Sequence, residues 1–309
     1  MPLYLSESDV EGLLSPAEAV PVLKACFGRL AAGAVENVPR RRLALEDGYF
    51  AVMAAVDSEL GYAGLKSYTV SGGRLAFVVC LFSLPDGKLA TVIEADALGQ
   101  RRTGAASGVA AKRLARTGAA TLGVIGCGWQ AESQLAAIRA AVPSIERAVA
   151  FCRTAERLAE FCAKTGAQPA ASPHEAAAQD IVVTATTSKD PVLRGEWLME
   201  GALVCAIGAN DPRARELDDV VLERATFVCC DSREQAKLES GDLIEPVAHG
   251  VIDWLEVYEL QDVVAGTVSG RGAESDIAVF KSNGLAAWDV AAGVAVLERA
   301  LERGVGRTV

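Results

Sequence analysis

The sequence predicts an α/β protein in which an antiparallel α+β region is followed by a doubly wound parallel sheet. Three observations support this fold class. The first 115 residues hold alternating stretches with hairpin signals, and residues 120–232 hold short continuous apolar runs separated by helical segments. The stretch from Asn283 to Arg303 is a long Ala-rich helix. Continuous apolar runs alternating with helices are typical of a parallel sheet that is covered on both faces.

The N-terminal region begins with a helix and continues with strands. Ser15-Pro16-Ala17-Glu18 places a hydroxyl at the cap and proline at the first helical position, which predicts a helix through Leu30. Pro85-Asp86-Gly87 is a turn signal that joins two of the predicted strands, so we expect antiparallel pairing. The predicted strands are Arg42 to Ala54, Gly64 to Thr69, Ala76 to Leu84 and Leu89 to Ala95.

The central region contains five apolar runs of strand length. Segments of good helix propensity, such as Ala131 to Ala141 and Ala155 to Lys164, lie between them. This alternation predicts parallel strands joined by crossover helices. The runs are Thr121 to Ile125, Arg147 to Cys152, Asp180 to Thr186, Ala202 to Gly208 and Thr226 to Asp231.

The charge and histidine content exclude several function classes. The 40 acidic and 30 basic residues give a net charge of −10, which argues against nucleic acid or anionic lipid as a partner. Only two histidines occur, His174 and His249, so we predict no His-rich metal site, and a Ser-His-Asp triad would have to use one of the two. Catalysis is therefore expected from other groups.

The cysteines and the N-terminus indicate the compartment. None of the eight cysteines forms a C-x-x-C pair, and most lie inside apolar runs, as expected for buried thiols in a reducing compartment. The N-terminus has no basic start followed by an apolar stretch, and no segment offers about twenty apolar residues in a row. We therefore expect a cytoplasmic protein without a membrane partner.

A glycine pattern directly follows the first apolar run of the central region. Gly126-Cys127-Gly128-Trp129-Gln130-Ala131 reads G-x-G-x-x-A between a predicted strand and a predicted helix. Gly126 would permit the tight turn, Gly128 would let a pyrophosphate approach the backbone, and Ala131 would let helix and strand pack closely. The pattern predicts a Rossmann-type dinucleotide-binding domain, with a purely structural turn as the alternative.

The end of the second predicted strand bears on the choice of cofactor. A carboxylate there would accept a hydrogen bond from the ribose 2′-hydroxyl of NAD, but the sequence reads Cys152-Arg153-Thr154. A guanidinium and a hydroxyl would instead hold a 2′-phosphate, so NADP(H) is the preferred cofactor and NAD(H) the alternative. Arg153 could also be a solvated loop charge.

Several further segments, taken together, resemble the ornithine cyclodeaminase and mu-crystallin family along nearly the whole chain. They are Gly64-Leu65-Lys66-Ser67-Tyr68, Arg102-Thr103-Gly104-Ala105-Ala106-Ser107, Ile207-Gly208-Ala209-Asn210, Arg215-Glu216-Leu217-Asp218 and Phe280-Lys281-Ser282-Asn283-Gly284. The resemblance implies a substrate-binding and homodimerisation domain formed by residues 1–115 and 280–309. It also implies that a Rossmann domain, residues 116–279, is inserted between these two parts.

The resemblance also implies site residues. The substrate carboxylate would meet Lys66, Arg102 and an arginine of Pro39-Arg40-Arg41-Arg42, where we prefer Arg41 and keep Arg40 because the register is ambiguous. Asn283 stands where the family commonly has an apolar residue, which indicates a polar substrate tail or a different orientation of the substrate. Trp129 would shield the pyrophosphate or merely cover the surface. Further cofactor contacts are implied at Thr103, Gln130, Thr186, Ile207, Gly208, Ala209, Asn210 and Ser282.

The cations can also be judged from the residues alone. Lys66 follows an apolar pair in a predicted strand, and such a lysine either reaches solvent or pairs with a buried anion. Arg102 precedes a predicted small-residue helix, Gly104 to Leu114, whose N-terminus would add to the attraction for anions. The alternative for Lys66, Arg102 and Arg41 is that they are surface charges or members of structural ion pairs.

One position separates the activities that the resemblance allows. The cyclodeaminases of the family use an aspartate as acid and base where this chain has Asn210, and an amide cannot exchange a proton near neutral pH. We therefore predict an NAD(P)-dependent oxidoreductase acting on the C–N bond of a small α-imino or α-amino acid, with Lys66 as proton donor and Lys66, Arg102 and Asn210 as catalytic positions. The alternatives are ornithine cyclodeamination and a non-enzymatic protein that binds NADPH and a small acid.

Overall fold

A computed structural model describes residues 1–309, with the side chain of Arg74 outside the description. Its contacts divide the chain into two compact units, residues 1–103 with 284–309, and residues 104–283. The resemblance implied boundaries after residues 115 and 279, whereas the contacts divide the chain at 103/104, inside a helix, and at 283/284, beyond a strand. Element ends are visible in a sequence, whereas the distribution of contacts along a helix is not.

The first unit is built on a seven-stranded sheet with the order β15-β1-β6-β5-β4-β3-β2. The strands β2 to β6 pair antiparallel, and helix α11 packs on β2 to β5. The elements are β1 Leu3–Leu5, α1 Glu7–Leu13, α2 Pro16–Ala31, β2 Val35–Leu45, β3 Gly48–Asp57, β4 Tyr62–Ser71, β5 Arg74–Ser83, β6 Leu89–Glu94, α3 Asp96–Leu114, α11 Ala286–Arg303 and β15 Arg307–Thr308.

The first predicted strand of this unit is in fact a hairpin. The stretch expected as one strand from Arg42 to Ala54 is interrupted by a turn, because β2 ends at Leu45 and β3 begins at Gly48. Gly48 has a φ of +149°, and a Cβ built on it would lie 1.8 Å from the carbonyl oxygen of Val70. Only glycine fits this position, so the turn is fixed by a close backbone contact with a strand further along the chain.

Helix α3 begins earlier than its composition indicates. The small-residue helix was expected at Gly104, but α3 begins at Asp96, so Arg102 lies in its interior and not at its N-terminus. The carboxylate of Glu7 accepts hydrogen bonds from the amides of Asp96 (2.7 Å) and Ala97 (2.9 Å). These contacts satisfy donors at the helix start from 89 residues away, which no local pattern reveals.

The second unit contains an eight-stranded, all-parallel sheet with helices between its strands, and the predicted fold class is confirmed. The strand order is β13-β12-β14-β11-β10-β7-β8-β9. The five predicted strands are present, and β9, β13 and β14 are additional. The elements are β7 Thr121–Ile125, α4 Trp129–Ala141, β8 Arg147–Phe151, α5 Ala155–Thr165, β9 Gln168–Pro169, α6 Pro173–Ala177, β10 Ile181–Thr184, β11 Leu203–Ala206, α7 Asp219–Arg224, β12 Ala225–Cys230, α8 Arg233–Glu239, α9 Gly241–Ala248, β13 Val257–Glu259, α10 Leu260–Ala265 and β14 Ile277–Lys281.

The strand order places a switch point beside the glycine pattern. From β7 the chain proceeds through α4 to β8 on one side, while β10 pairs with β7 on the other side. The crevice outside the carboxyl ends of such strands is where ligands bind in open parallel sheets. Over the described chain, no helix combines the length and apolar character that crossing a membrane requires.

Candidate functional site

The glycine loop after β7 has the geometry that a dinucleotide needs. Gly126 has a φ of +113°, and a Cβ on it would lie 2.3 Å from the carbonyl oxygen of Ala185. Gly128 caps α4, and a Cβ built there would meet no atom within 4 Å. The fully buried Ala131 lies in the first turn of α4. The backbone is therefore open at the helix N-terminus, where a pyrophosphate can approach.

A cavity of about 560 Å³ opens beside this loop, at the carboxyl ends of β7, β8 and β10. Its volume is in the range of ligand sites. Gly126, Gly128, Arg153, Thr154 and Thr186 of the predicted cofactor residues all line it.

Two further arginines, Arg157 and Arg194, also line the cavity, and no acidic side chain is among the residues that do. Arg157 lies in the first turn of α5, four residues after Arg153. Thr154 is the N-cap of α5, and its side chain makes no capping hydrogen bond. These residues fit a cofactor with several negative charges.

The remaining predicted cofactor residues of the α3 and α4 segments do not line this cavity. Trp129 is 43% exposed, and the ammonium of Lys164 lies 5.8 Å from its ring centroid. Gln130 is half-buried, and its Oε1 has no hydrogen-bond partner among the described residues. Thr103 is buried and donates its hydroxyl to the carbonyl of Gly99 at 2.7 Å. These positions remain proposals as cofactor contacts.

Glu216 holds the loops that follow β10 and β11. This carboxylate is fully buried and accepts four hydrogen bonds, from the Thr184 hydroxyl (2.9 Å), the Thr186 amide and hydroxyl (2.7 and 2.8 Å) and the Gly208 amide (2.7 Å). Burial raises its pKa, and the nearby charge of Lys281 opposes that effect. Within the Arg215-Glu216-Leu217-Asp218 segment, Glu216 therefore fixes the loop positions at Thr186 and Gly208.

Lys281 completes this buried network. Its ammonium is fully buried, pairs with Asp242 at 2.9 Å and donates to the carbonyl of Ala209 at 2.6 Å. Asp242 in turn accepts hydrogen bonds from the amides of Glu216 (2.7 Å) and Leu217 (2.9 Å). The Lys281–Asp242 ion pair thus anchors backbone groups of the segment between β11 and α7.

The segment after β11 and the end of β14 contain the other predicted positions of this unit. Ile207 and Ala209 are buried, whereas Gly208 and Asn210 are half-buried. The Ser282 hydroxyl (3.1 Å) and the Asn283 amide (2.7 Å) both donate to the Asp231 carboxylate. The hydroxyl of Ser282 is therefore held by protein.

The carboxylate beside Asn210 has another partner. Asp211 forms an exposed ion pair with Arg213, with distances of 3.0 Å to Nε and 2.8 Å to Nη2. This pairing gives no support to Asp211 as a substitute for the aspartate of the cyclodeaminases.

In the first unit, Lys66 and Arg102 meet in a buried cluster around Asp289. One oxygen of Asp289, Oδ1, accepts from Lys66 Nζ at 2.9 Å and from Arg102 Nε at 3.1 Å. The three side chains are 1–5% exposed. Lys66 therefore does not reach solvent. It pairs with a buried anion, which is the second of the two alternatives that the sequence predicted.

A β-bulge decides which arginine of β2 joins this face of the sheet. Val38 pairs with Ala54 and Arg41 with Val52, so β2 carries one extra residue between these pairs. Arg41 lies on the outer face and is exposed, whereas Arg40 is buried. Arg40 is also close enough to Lys66 to lower its pKa. The buried position belongs to Arg40 and not to the preferred Arg41.

The electrostatics of the cluster favour a lysine that can exchange its proton. Burial, the main cause, lowers the pKa of Lys66 to about 8, and the Arg102 and Arg40 guanidinium groups act in the same direction. Asp289 opposes them. A pKa near 8 makes an ammonium that is protonated at neutral pH and can still act as an acid.

Gly284 and two aromatic rings shape the cluster. Gly284 has a φ of +81°, and a Cβ on it would lie 2.5 Å from Arg102 Nη1. The Arg102 guanidinium lies 5.5 Å from the Trp288 ring centroid, and the Lys66 ammonium lies 5.1 Å from that of Phe77. The two cations are thus held by aromatic faces and by a glycine backbone.

A sequence model of the ornithine cyclodeaminase/mu-crystallin family matches residues 2–304. The chain belongs to this family. The alanine dehydrogenase of Archaeoglobus fulgidus is 37% identical, with 99% of this chain and 98% of that protein covered. The match spans both units.

Two solved structures of family members are similar over their full length. The Δ1-pyrroline-2-carboxylate reductase of Thermococcus litoralis, in complex with NADH and L-proline, is 32% identical with a TM-score of 0.94, covering 99% of this chain and 100% of that one. An archaeal alanine dehydrogenase dimer with bound NAD is 35% identical with a TM-score of 0.93, covering 100% of this chain and 98% of that one. The fold of this family member is therefore the fold of known dehydrogenases and imine reductases.

Three residues that the sequence analysis missed belong to these sites. Arg157 follows Arg153 at helical spacing, which was a usable signal. Arg194 lies in a segment without periodicity and gave no signal. Asp289 stands in the Ala-rich helix α11, where Trp288-Asp289 interrupts an apolar run, and a buried acid in such a run signals a buried cation.

Proposed function

We propose that this family member is an NADP-preferring oxidoreductase that reduces the C=N bond of a small α-imino acid and oxidises the matching α-amino acid. The observation that carries the proposal is the buried pair of cations, Lys66 and Arg102, on one oxygen of Asp289, in a chain that also has a cavity beside its glycine loop. A buried surplus of positive charge requires an anionic ligand, and a substrate carboxylate meets that requirement.

Lys66, Arg102 and Arg40 each have a role in this reaction. Arg102 and Arg40 bind the carboxylate of the substrate, and Lys66 shares it through one of its N–H groups. Lys66 Nζ donates the proton that the substrate nitrogen takes when its carbon becomes saturated. Bound NADPH supplies the hydride. Positioning and charge complementarity provide most of the rate, since the proton donor and the clamp are preorganised by buried contacts.

The cavity beside the glycine loop favours NADP over NAD in our proposal. Arg153, Arg157 and Thr154 surround the N-terminus of α5, where a 2′-phosphate would be stabilised by two guanidinium groups, a hydroxyl and the helix dipole. The related reductase and dehydrogenase structures contain NADH and NAD, so the proposed preference for NADP rests on these residues of this chain.

The cofactor preference can be measured by comparing kcat/KM for NADPH and NADH. We expect Arg153→Ala to lower kcat/KM for NADPH by about tenfold and to leave that for NADH within twofold, since one charge-assisted hydrogen bond is lost. Arg233→Ala, an exposed arginine of the same unit, is the control. A wild-type preference for NADH would refute this cofactor assignment.

We also propose a homodimer that forms through the outer face of the seven-stranded sheet. By strand register this face carries Val38, Leu43, Val56 and Phe82, which are 36–60% exposed, while α11 covers the opposite face. A second copy of the chain is the partner, as in the archaeal dimer. We place the protein in a reducing cytoplasm because its eight cysteines are free thiols.

The dimer is tested by light scattering of the eluted protein. Phe82→Glu should give monomers, whereas Leu301→Glu, on an exposed position of α11, should leave the dimer intact. A monomeric wild-type protein at micromolar concentration would contradict the proposal.

The reaction itself is tested by following NADPH loss at 340 nm with Δ1-pyrroline-2-carboxylate, Δ1-piperideine-2-carboxylate, pyruvate with ammonia, and ornithine. We expect steady NADPH loss with one or more imino acids. Ammonia release from ornithine without a net change in absorbance would identify a cyclodeaminase instead, and no turnover at all would identify a binding protein.

A further inference from the structure

Asp289 is a buried carboxylate that has no direct role in the proposed reaction. It lies in the first turn of α11 and is 1% exposed. Its Oδ1 accepts hydrogen bonds from both Lys66 and Arg102. Its Oδ2 is buried and has no hydrogen-bond partner among the described residues. A carboxylate in this position must be compensated by the cations beside it.

The surroundings of Lys66 come from four elements. Asp289 faces it from α11, Arg102 from α3, Arg40 from β2 and the Phe77 ring from β5. On the α3 side, a Cβ built on Gly99 would lie 2.9 Å from Lys66 Nζ, so this helix packs directly against the ammonium. Of the charged groups that face Lys66, Arg102 and Arg40 are cations and Asp289 is an anion.

We propose that Asp289 is a positioning residue that keeps Lys66 in its ammonium form and directs the remaining N–H groups of Lys66 and Arg102 towards the substrate carboxylate. This inference deepens the proposed function and rests on it for the identity of the substrate. The shared Oδ1 carries the argument, because one atom fixes both cations at once. Because both hydrogen bonds end on this one carboxylate oxygen, loss of the charge weakens both contacts together.

The role follows from electrostatics at short range. An ammonium buried beside two guanidinium groups is driven to lose its proton, and the carboxylate at 2.9 Å opposes that loss. Without Asp289, a larger fraction of Lys66 would be neutral at pH 7 to 8. A neutral amine can no longer donate the proton that imine reduction consumes, although it can accept one when the amino acid is oxidised.

The experiment compares Asp289→Asn, which removes the charge at constant size, with Asp289→Glu, which keeps it. Glu298→Gln, an exposed carboxylate of the same helix, is the matched control. The profile of kcat/KM against pH is measured for imine reduction and for amino acid oxidation. In Asp289→Asn we expect the midpoints of both profiles, for reduction and for oxidation, to move to lower pH by about one unit or more. Asp289→Glu keeps the charge, so its midpoints should stay close to those of the wild type. Glu298→Gln should leave both midpoints unchanged.

A second readout does not depend on activity. The ¹³Cε resonance of Lys66, assigned from its absence in Lys66→Met, reports the titration of the amine in the NADPH-bound protein. The pH midpoint of the Lys66 titration should be lower in Asp289→Asn than in the wild type and unchanged in Glu298→Gln. Because the unfolded protein would give an ordinary lysine midpoint, loss of folding is recognised in the same spectrum.

The outcomes separate the two proposals. Unchanged midpoints in Asp289→Asn would overturn the role of Asp289, whatever the activity. A wild-type protein without turnover on any imino acid would overturn the proposed function, while the titration would still test Asp289.

Discussion

Each unit buries a lysine against an aspartate, but the two clusters differ in what surrounds the pair. In the second unit, Lys281 and Asp242 bind backbone groups of neighbouring loops, and Glu216 accepts four hydrogen bonds. In the first unit, one oxygen of Asp289 serves two cations, and the other has no partner among the described residues. A buried ion pair that is tied to the backbone supports the fold, whereas we propose that the cluster with two cations on one carboxylate oxygen binds an anionic ligand.

The comparison predicts that replacing Lys66 lowers activity, whereas replacing Lys281 lowers the free energy of unfolding. Lys66→Met should lower kcat of imine reduction by about 10²- to 10⁴-fold, because the proton donor is lost, and should leave NADPH affinity nearly unchanged. Lys281→Met should destabilise the protein by about 3 to 5 kcal/mol, because the buried Asp242 carboxyl group then loses its cationic partner. Urea unfolding and single-turnover kinetics measure the two effects. If Lys66→Met retains wild-type turnover, Lys66 is not the proton donor.

The β-bulge in β2 can be tested with adjacent arginines. Arg40→Ala should raise KM for the imino acid by about 10- to 100-fold, since one charge-assisted contact with the carboxylate is lost. Arg41→Ala, one residue away on the other face, should change KM by less than about twofold. Equal effects of both substitutions would show that the register of β2 does not select the ligand of the carboxylate.

Glu216 gives a test of the anchoring role in the second unit. Glu216→Gln replaces an acceptor-only group by one with an amide nitrogen, which cannot accept hydrogen bonds from Thr186 or Gly208. We expect NADPH affinity to fall by about tenfold, through displacement of these loops, with kcat at saturating cofactor within about twofold. Fluorescence titration with NADPH measures the affinity. A large loss of kcat with unchanged affinity would place Glu216 in the chemistry and not in the anchoring.

The titration of Lys66 predicts the pH dependence. Its pKa is lowered to about 8, so the ammonium that donates the proton is present below that pH and is lost above it. The kcat/KM for reduction should be halved near pH 8 and should fall about tenfold per unit above it. Amino acid oxidation needs the neutral amine and should rise over the same range. A reduction profile that is flat from pH 7 to 9 would contradict this assignment.

Local sequence was sufficient for several features of the fold. The G-x-G-x-x-A pattern between strand and helix, the continuous apolar runs of the parallel sheet and the capped start of α2 all form from neighbouring residues. The types of the cationic residues were also visible, since Lys66 in an apolar strand demands either solvent or an anion. The tertiary structure selected the anion, and Asp289 lies 223 residues away.

Other features could not be read from the sequence because distant contacts determine them. Hydrogen bonds to Glu7 fix the start of α3. The turn at Gly48 is fixed by the carbonyl oxygen of Val70, which leaves no room for a Cβ atom. Arg194 joins the cavity through a segment without a repeating pattern.

The fold class and the family could be predicted from the sequence, and so could the glycine loop and the cationic residues offered for anions, because periodicity, turn chemistry and charge are local properties. Only the tertiary structure decided which arginine of β2 faces Lys66 and which carboxylate balances it. A single extra residue in β2 turns Arg40 inward and Arg41 outward, because successive side chains of a strand alternate between the two faces. Burial then determines the chemistry, since an ammonium that would have an ordinary pKa in water is shifted to about 8 among guanidinium groups.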